Sequence, residues 1–528
     1  MNKPKFYTYW LGVICSLLVI GCHKDDVIGE NPYDGGKEPL GIFFLNEDPM
    51  PEAAAPGELV RIHVRGLAQY EGDFQFYLNE MEAEVVELSD STIDVRVPEL
   101  ASTGGSSVRL KNQVFFGPRV FVSGKVSVDQ DFGIVSGFNG PVMDILPYAG
   151  GYLLSGGFSN FEDEAGEDVF RNSIHYINSL GKSDATFDFQ EGTSGVINST
   201  VRLSNGKFIL GGSINEFNNR AILNVARLNV NGTLDTMITP VINPTPEDES
   251  KNVDTVSAFN GGTMDGLIVK LIATPDNGAI ALGSFRAHLK IDYRYSSKDN
   301  KRGVYTSVRN VMRLQPDGSL DSAFAENTAG TLGNIVDGAV NAHGQVAVVG
   351  GFTSFDNRRA GRIARLNADG TWDDSFNVGT GANNNIFSIE YNQQHQKYVV
   401  VGNFTEFNGR PLKGIVVLNQ DGSLDENFTP GDFGNGIPTF AKILDSGKIL
   451  VSGGFDSYEG IRRSQILFLE PNGEALQAYN NIGDFTGVVM AAEETVSSQG
   501  YPAVLIGGSF NQINGTNIRN IAKLEIRN

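Results

Sequence analysis

Two places in this chain could do chemistry, and they lie far apart. Residues 286–307, RAHLKIDYRYSSKDNKRGVYTS, gather Lys290, Tyr293, Arg294, Tyr295, Lys298, Lys301, Arg302 and Tyr305 within a chain of formal charge −21. Tyrosine rings can stack on sugars, and arginines pair with carboxylates or sulfates. Tyr293, Arg294, Tyr295 and Tyr305 are therefore the candidate ligand contacts. The competing reading is an extended hairpin with a solvated surface. The second place is Cys22, a thiol at the end of an apolar run.

Other chemistries find little support. The chain has two cysteines, Cys15 and Cys22, and six histidines that lie far apart, so it offers no disulfide framework and no zinc spacing. No metal, cofactor or catalytic residue is nominated. The Asp-Gly turns lack the Asp-x-Asp-x-Asp-Gly density of a calcium loop. Asn367 to Trp372 resembles the Asp-box of sialidases, but no residue separates Asp369 from Gly370 and the same turn recurs without the Trp. Paired carboxylates for glycoside hydrolysis exist only in three dimensions. The acidic balance, near −23 once residues 1–21 with their two lysines are removed, argues against nucleic acid or a bare anionic membrane as partner.

Lys3 and Lys5 precede an apolar run from Tyr9 to Gly21, too short to span a bilayer and the right size for a signal core. Its end, Leu-Val-Ile-Gly-Cys, resembles a bacterial lipobox, with small Gly21 before Cys22. That resemblance implies cleavage before Cys22 and acylation of the cysteine, hence membrane lipid as a partner through an N-terminal anchor. The alternative is an ordinary secretory signal with an incidental cysteine. Lys24, Asp25 and Asp26 resemble the export signal of surface lipoproteins in the Bacteroides group, which implies an outer-membrane address facing outward. A solvated charged tether is the alternative.

The positioning elements follow. After a flexible acidic tether over 22–39, residues 40–123 alternate with period two: Val60, Ile62 and Val64, then Ile93, Val95 and Val97. PGELVRIHVRGL, VVELSDSTIDVRVPE and SSVRL resemble the immunoglobulin-like IPT/TIG domain, although Gly66-Leu67 stands where that family has glycine-phenylalanine.

From 124 to 528 one unit recurs seven times. Gly-x-Phe falls at Phe158, Ile214, Phe285, Phe352, Phe404, Phe455 and Phe510; a second strand ends at Ile177, Leu228, Leu314, Leu366, Leu418, Leu469 and Leu524. An Asp-x-x-Phe piece ends at Phe132, Phe187, Ile238, Phe324, Phe376, Phe428 and Tyr479. The chain enters the array on the last of these pieces and stops just before one is due, so the strand near Val128 should pair with that near Ala522 and close a ring. The combined motif resembles the bacterial delta-sixty type of propeller repeat. The expected fold is all-β, a seven-bladed β-propeller preceded by a small immunoglobulin-like β-sandwich. Each blade should have four strands. The recurring Asp235, Asp321, Asp373 and Asp425 read as structural acceptors.

The third unit departs from the rest. Ile238 to Gly283 takes 45 residues where Phe376 to Gly402 takes 26, and Phe285 to Leu314 takes 29 where Phe352 to Leu366 takes 14. By strand parity both insertions leave one face, where binding residues are favoured. The first, polar and rich in Pro and Gly, reads as a mobile loop. The layout resembles surface glycan-binding lipoproteins, which implies a polysaccharide or oligosaccharide ligand and an importer complex as partner. A polysaccharide hydrolase or lyase, or an adhesion or scaffold protein, are the alternatives.

Overall fold

The computed structural model describes residues 40–164 and 172–527. The expected signal segment and tether, with Cys22 and the expected export residues Lys24, Asp25 and Asp26, lie outside the described residues.

Residues 43–122 form eight strands in one hydrogen-bonded path around a core of their own, centred on Val60, Ile62, Val64, Phe76, Ile93, Val95 and Val108. The alternation in the sequence is the alternation of burial: in Leu59–Arg65 the three core residues are buried and their neighbours, including His63, are not.

Seven antiparallel meander sheets follow. Their first strands are Val142–Tyr148, Thr193–Arg202, Ile268–Ala273, Ile335–Val340, Ile386–Asn392, Ile437–Ile443 and Phe485–Val496. Each of these inner strands packs on the next, and the seventh packs on the first, so the seven sheets form a closed cycle. The seventh sheet takes its fourth strand from the start of the array. Val126–Val128, from the start of the array, pairs with Ile521–Ile526 from its end, with Val128 opposite Leu524 and Val126 opposite Ile526. Asp129 completes the join: its amide donates to the Lys523 carbonyl at 2.9 Å, and its carboxylate accepts from the amide and hydroxyl of Ser498 at 2.8 and 3.0 Å.

The recurring glycine has one cause in all seven sheets. Every inner strand carries a bulge near its start, between Val142 and Asp144, Ile197 and Ser199, Ile268 and Lys270, Ile335 and Asp337, Ile386 and Ser388, Pro438 and Phe440, and Val489 and Ala491. The bulge pushes a carbonyl toward the second strand. A Cβ at Gly156, Gly212, Gly283, Gly350, Gly402, Gly453 or Gly508 would stand 2.0–2.4 Å from that carbonyl oxygen. Only a residue without a side chain fits there.

Two expectations need correction. The fourth strand is present in full only in the seventh sheet; elsewhere it shrinks to isolated bridges such as Leu366 with Trp372 and Leu418 with Leu424. Half-buried Trp372 packs beside the core there. The chain still reverses at each such bridge, so the parity of the loops is kept. Ile238 does not take the place of the Asp-x-x-Phe aromatic, because it is 71% exposed and pairs with Thr255 in the insertion. Phe259, after the insertion, takes it instead: it is buried and lies 5.5 Å beneath the Arg227 guanidinium, as Phe376 lies 4.4 Å beneath Arg365.

Adjacent glycines in the sixth sheet test the bulge contact. Gly453 faces the Ile437 carbonyl, whereas a Cβ at Gly454 meets nothing within 4 Å. Gly453→Ala should cost about 2 kcal/mol or more in unfolding experiments, as overpacking does, and Gly454→Ala should stay within about 0.5 kcal/mol of the parent.

Candidate functional site

Both third-unit insertions leave the same end of the third sheet, because Gly283, where the second begins, pairs with Ile268, where the first ends. The first is ordered, contrary to the reading of a mobile loop. Thr236–Pro240 pairs with Val253–Ser257, and a single 3-10 turn at Glu249–Lys251 is capped by Asp248, whose carboxylate accepts from the Ser250 amide. In the second, Ala287–Ile291 runs between Gly262–Met264 and Gly303–Ser307, and a 3-10 turn at Tyr293–Tyr295 is capped by Asp292. The two insertions then lock together. The Ile242 amide donates to the Ser296 carbonyl at 2.8 Å, Lys298 Nζ to the Ser250 carbonyl at 2.9 Å, and Lys301 Nζ to Asp254 at 2.6 Å. These bonds replace the apolar core that the first insertion's composition lacks.

Three of the four nominated side chains face outward on this platform. Tyr295 and Tyr305 are each 57% exposed, and the Arg294 side chain is 83% exposed while it grips Asp292 through Nε and Nη2 at 3.0 and 3.1 Å. Arg302 lies 4.8 Å over the Tyr295 ring. Tyr293 belongs to the support: it is half-buried, and burial, aided by the Asp254 charge, pushes its hydroxyl up to about 12. His288 is buried beneath, bonded through Nε2 to the Gly318 carbonyl at 3.0 Å and held below its ordinary value by burial. Elsewhere on the two insertions and the strand between them, Ile238, Ile242, Met264 and Val304 are also exposed. The one sequence sign of these exposed apolar residues was that Ile238 broke the aromatic pattern.

A second place was missed altogether. The seven inner strands surround an axial cavity of about 680 Å³. The bulged residues Met143, Val269, Val336, Phe387 and Met490 give its wall an apolar part, and Asp144, Lys270, Asp337, Glu390, Lys442 and Glu493 a charged belt. Asp144 accepts from the Thr200 amide at 2.6 Å and the Ile145 amide at 3.0 Å; Asp337 accepts from the Ile389 amide at 3.0 Å and the Ser388 hydroxyl at 2.9 Å. Each thereby also latches one sheet to the next. Lys270 lies 4.0 Å from Asp337, and Lys442 donates to the Ala492 carbonyl at 2.7 Å and to Glu493 at 3.4 Å. Burial raises Asp144, Asp337 and Glu493 above the ordinary carboxylate range. Burial also works against the Lys270 charge, yet Asp337, Glu390 and Asp144 together lift it above a lysine's usual value. The belt thus holds four carboxyl groups against two amines. Among the described residues no three His, Cys, Asp or Glu side chains form a metal site.

Comparison with known proteins bears on the fold. Residues 203–236, 303–324, 344–376 and 397–428 match the family model described as a domain of unknown function, DUF5122, beta-propeller. The ring is built of β-propeller repeats. Residues 18–118 match a second model, described as a domain of unknown function, DUF5008, so an N-terminal domain precedes the propeller. No curated protein matches the chain. Similar solved structures include the WD40 beta propeller domain of Doa1, with 10% identity over 76% of this chain and 97% of that one at a TM-score of 0.38. A protein of unknown function from Bacteroides thetaiotaomicron shows 13% identity over 92% and 98% of the two chains at 0.25. YCF48 bound to D1 peptide shows 9% over 75% and 94% at 0.39.

The aspartates that recur around the propeller work as braces. Asp373 accepts from Arg365 Nε at 2.6 Å and Gln345 at 2.8 Å, and from the Ser375 amide and hydroxyl at 2.9 and 2.6 Å, while Arg365 reaches on to the Gln420 carbonyl of the next sheet. Asp235 binds Lys207 and Arg227, both at 2.7 Å, and Asp425 binds Lys397. Asp321 caps the short helix Ser322–Asn327. Burial works against the Asp373 charge, but the bonds from Ser375 and Arg365 prevail and hold it below the ordinary carboxylate value.

Removing one partner of such a buried pair strands the other. Asp373→Ala should lower stability at neutral pH by about 3 kcal/mol. A depressed carboxylate gives stability that is present above its unfolded value and is lost as pH falls through its folded value. The gap between variant and parent in chemical denaturation should accordingly shrink on acidification below the ordinary carboxylate range, and a gap that widened there would contradict the brace.

Proposed function

We propose that this chain is a cell-surface lipoprotein, anchored in the outer membrane through acylated Cys22, in which an immunoglobulin-like, IPT/TIG-type domain carries a seven-bladed β-propeller that captures a glycan without cleaving it, for delivery to a nutrient importer. Support for capture comes from one observation above the rest: the two insertions that depart from the repeat are bonded into a single ordered platform, and that platform exposes Tyr295, Tyr305 and Arg294. Binding surfaces are favoured where loops are elaborated on a rigid scaffold. The seven-blade count is supported by the closed cycle of seven inner strands.

The N-terminal domain docks on the same face. Leu100 accepts from Arg463 at 3.0 Å, Thr103 donates its amide to the Asn481 carbonyl at 2.9 Å, and Arg119 meets Asp484. Arg463 lies in the sixth sheet's loop between second and third strands, and Asn481 precedes the seventh inner strand. Both positions match, by parity, the ends from which the insertions leave. The small domain and the platform therefore stand on one face of the ring, at the sixth and seventh sheets and at the third.

Purified protein passed over a panel of immobilised polysaccharides should be retained by at least one of them and release no shortened product; product release would support a hydrolase or lyase instead. Tyr295→Ala with Tyr305→Ala should weaken that retention about tenfold or more, the scale of a lost aromatic stacking contact, with the thermal midpoint unchanged. Equal retention by this variant would place the ligand elsewhere. On intact cells, Asp25→Ala with Asp26→Ala should reduce the protein's accessibility to added protease, and unchanged accessibility would remove the export reading.

A further inference from the structure

The axial cavity is built differently from the platform: Asp144, Asp337 and Lys442 tie neighbouring sheets together, but holding the ring does not account for Glu390. Close-packed propeller centres need no charge, yet here the wall is divided by register. The bulged residues Met143, Val336, Phe387 and Met490 lie nearest the strand ends from which the insertions leave, and Val336 and Met490 are 40% and 37% exposed. Asp144, Lys270 and Asp337 follow one residue further along their strands, and Glu390, Lys442 and Glu493 sit deeper still. A ligand entering from the platform face would meet apolar surface first and charge second.

The charges do not cancel. Four carboxylates share the cavity with two ammonium groups. Lys270 is shared with Asp337, and Lys442 is held by Glu493 and the Ala492 carbonyl. Asp144 is served by two backbone amides. Glu390 differs from all of these. Its carboxylate accepts no hydrogen bond and has no ion pair among the described residues, although its charge reaches Lys270, Asp144, Asp337 and Glu493. The cavity, about 680 Å³, is in the range that holds small organic ligands.

We infer that the axial cavity binds a small amphipathic cation, a primary ammonium carried on an apolar body, with the ammonium at Glu390 and the apolar part against Phe387, Val336, Met143 and Met490. An anion of the same shape is refused because both lysines are already engaged and carboxyl groups outnumber them, and a neutral analogue leaves Glu390 unpaired. The site is separate from the platform aromatics and does not rest on the glycan reading.

Isothermal titration of the full chain with hexylammonium, hexanol and hexanoate at equal ionic strength tests this. Hexylammonium alone should give saturable heat. Glu390→Gln, which keeps the side chain's shape and removes its charge, and Phe387→Ala should each weaken hexylammonium at least tenfold. Tyr295→Ala with Tyr305→Ala should not alter it. Circular dichroism and the thermal midpoint show whether each variant is folded, and the charge-conserving Glu390→Asp should recover part of the affinity if Glu390→Gln acts through charge. No heat with hexylammonium, equal binding of hexanoate, or unchanged affinity in folded Glu390→Gln would each overturn the inference.

Discussion

The contact between a glycine of the second strand and the bulged carbonyl of the first organises this molecule. It recurs in all seven sheets, and at each the glycine Cβ position is already filled by the neighbour's backbone to within 2.0–2.4 Å. Because the second strand comes so close, the bulge is stable. Because the bulge is stable, one extra side chain per sheet is turned toward the axis. The apolar part of the central cavity and the carboxylates that latch one sheet to the next, Asp144 on Thr200 and Asp337 on Ile389, both follow from that displacement. A repeat usually read as a turn signal is therefore also what shapes the axis of the ring.

Much of this was legible because it was repeated. The glycine, the strand-ending leucine and the braced aspartate each occur in unit after unit, so a structural role could be argued without coordinates, and Asp373 with its Arg365 and Ser375 partners bears that out. The strand near Val128 joining the end of the chain was legible for the same reason. What failed did so at singular positions. Ile238 was read into the aromatic series because it stood at the right interval, but the insertion after it draws the strand out, and Phe259 returns to fill the vacancy under Arg227. The first insertion looked mobile because its composition holds little to bury; its order comes from bonds to residues distant in sequence, such as Asp254 to Lys301, 47 positions away. Tyr293 looked like its neighbours, and only the fold shows that the Tyr293–Tyr295 turn sets it inward and Tyr295 outward. The axial belt was invisible because its six charged residues come from six different sheets.

The arrangement separates the groups that brace the ring from those proposed to meet a ligand. Buried ion pairs such as Arg365 with Asp373 tie the outer parts of the sheets, carboxylate-to-amide bonds tie the inner strands, and neither has free valence for a ligand. Groups with unused capacity stand outside these braces: Tyr295 and Tyr305 on the second insertion, and Glu390 at an inner-strand position that is apolar in the first four sheets (Leu146, Val201, Ile272, Ala339) and charged in the last three (Glu390, Lys442, Glu493). Loops that are bonded together, as these insertions are, meet a ligand with less ordering to complete on binding.

All of this presumes that the ring is closed by its own N-terminal strand, three residues long, rather than merely approached by it. Hydrogen exchange read by mass spectrometry on the intact chain tests that most directly. If Val126–Val128 and Ile521–Ile526 are one edge of a cooperative ring, their amides should exchange as slowly as those of the second strands Val346–Gly350 and Lys397–Gly402, through global opening. Rapid exchange in residues 126–128 and 521–526, with the remaining sheets still protected, would show a ring that stands without its closing strand and would contradict the account.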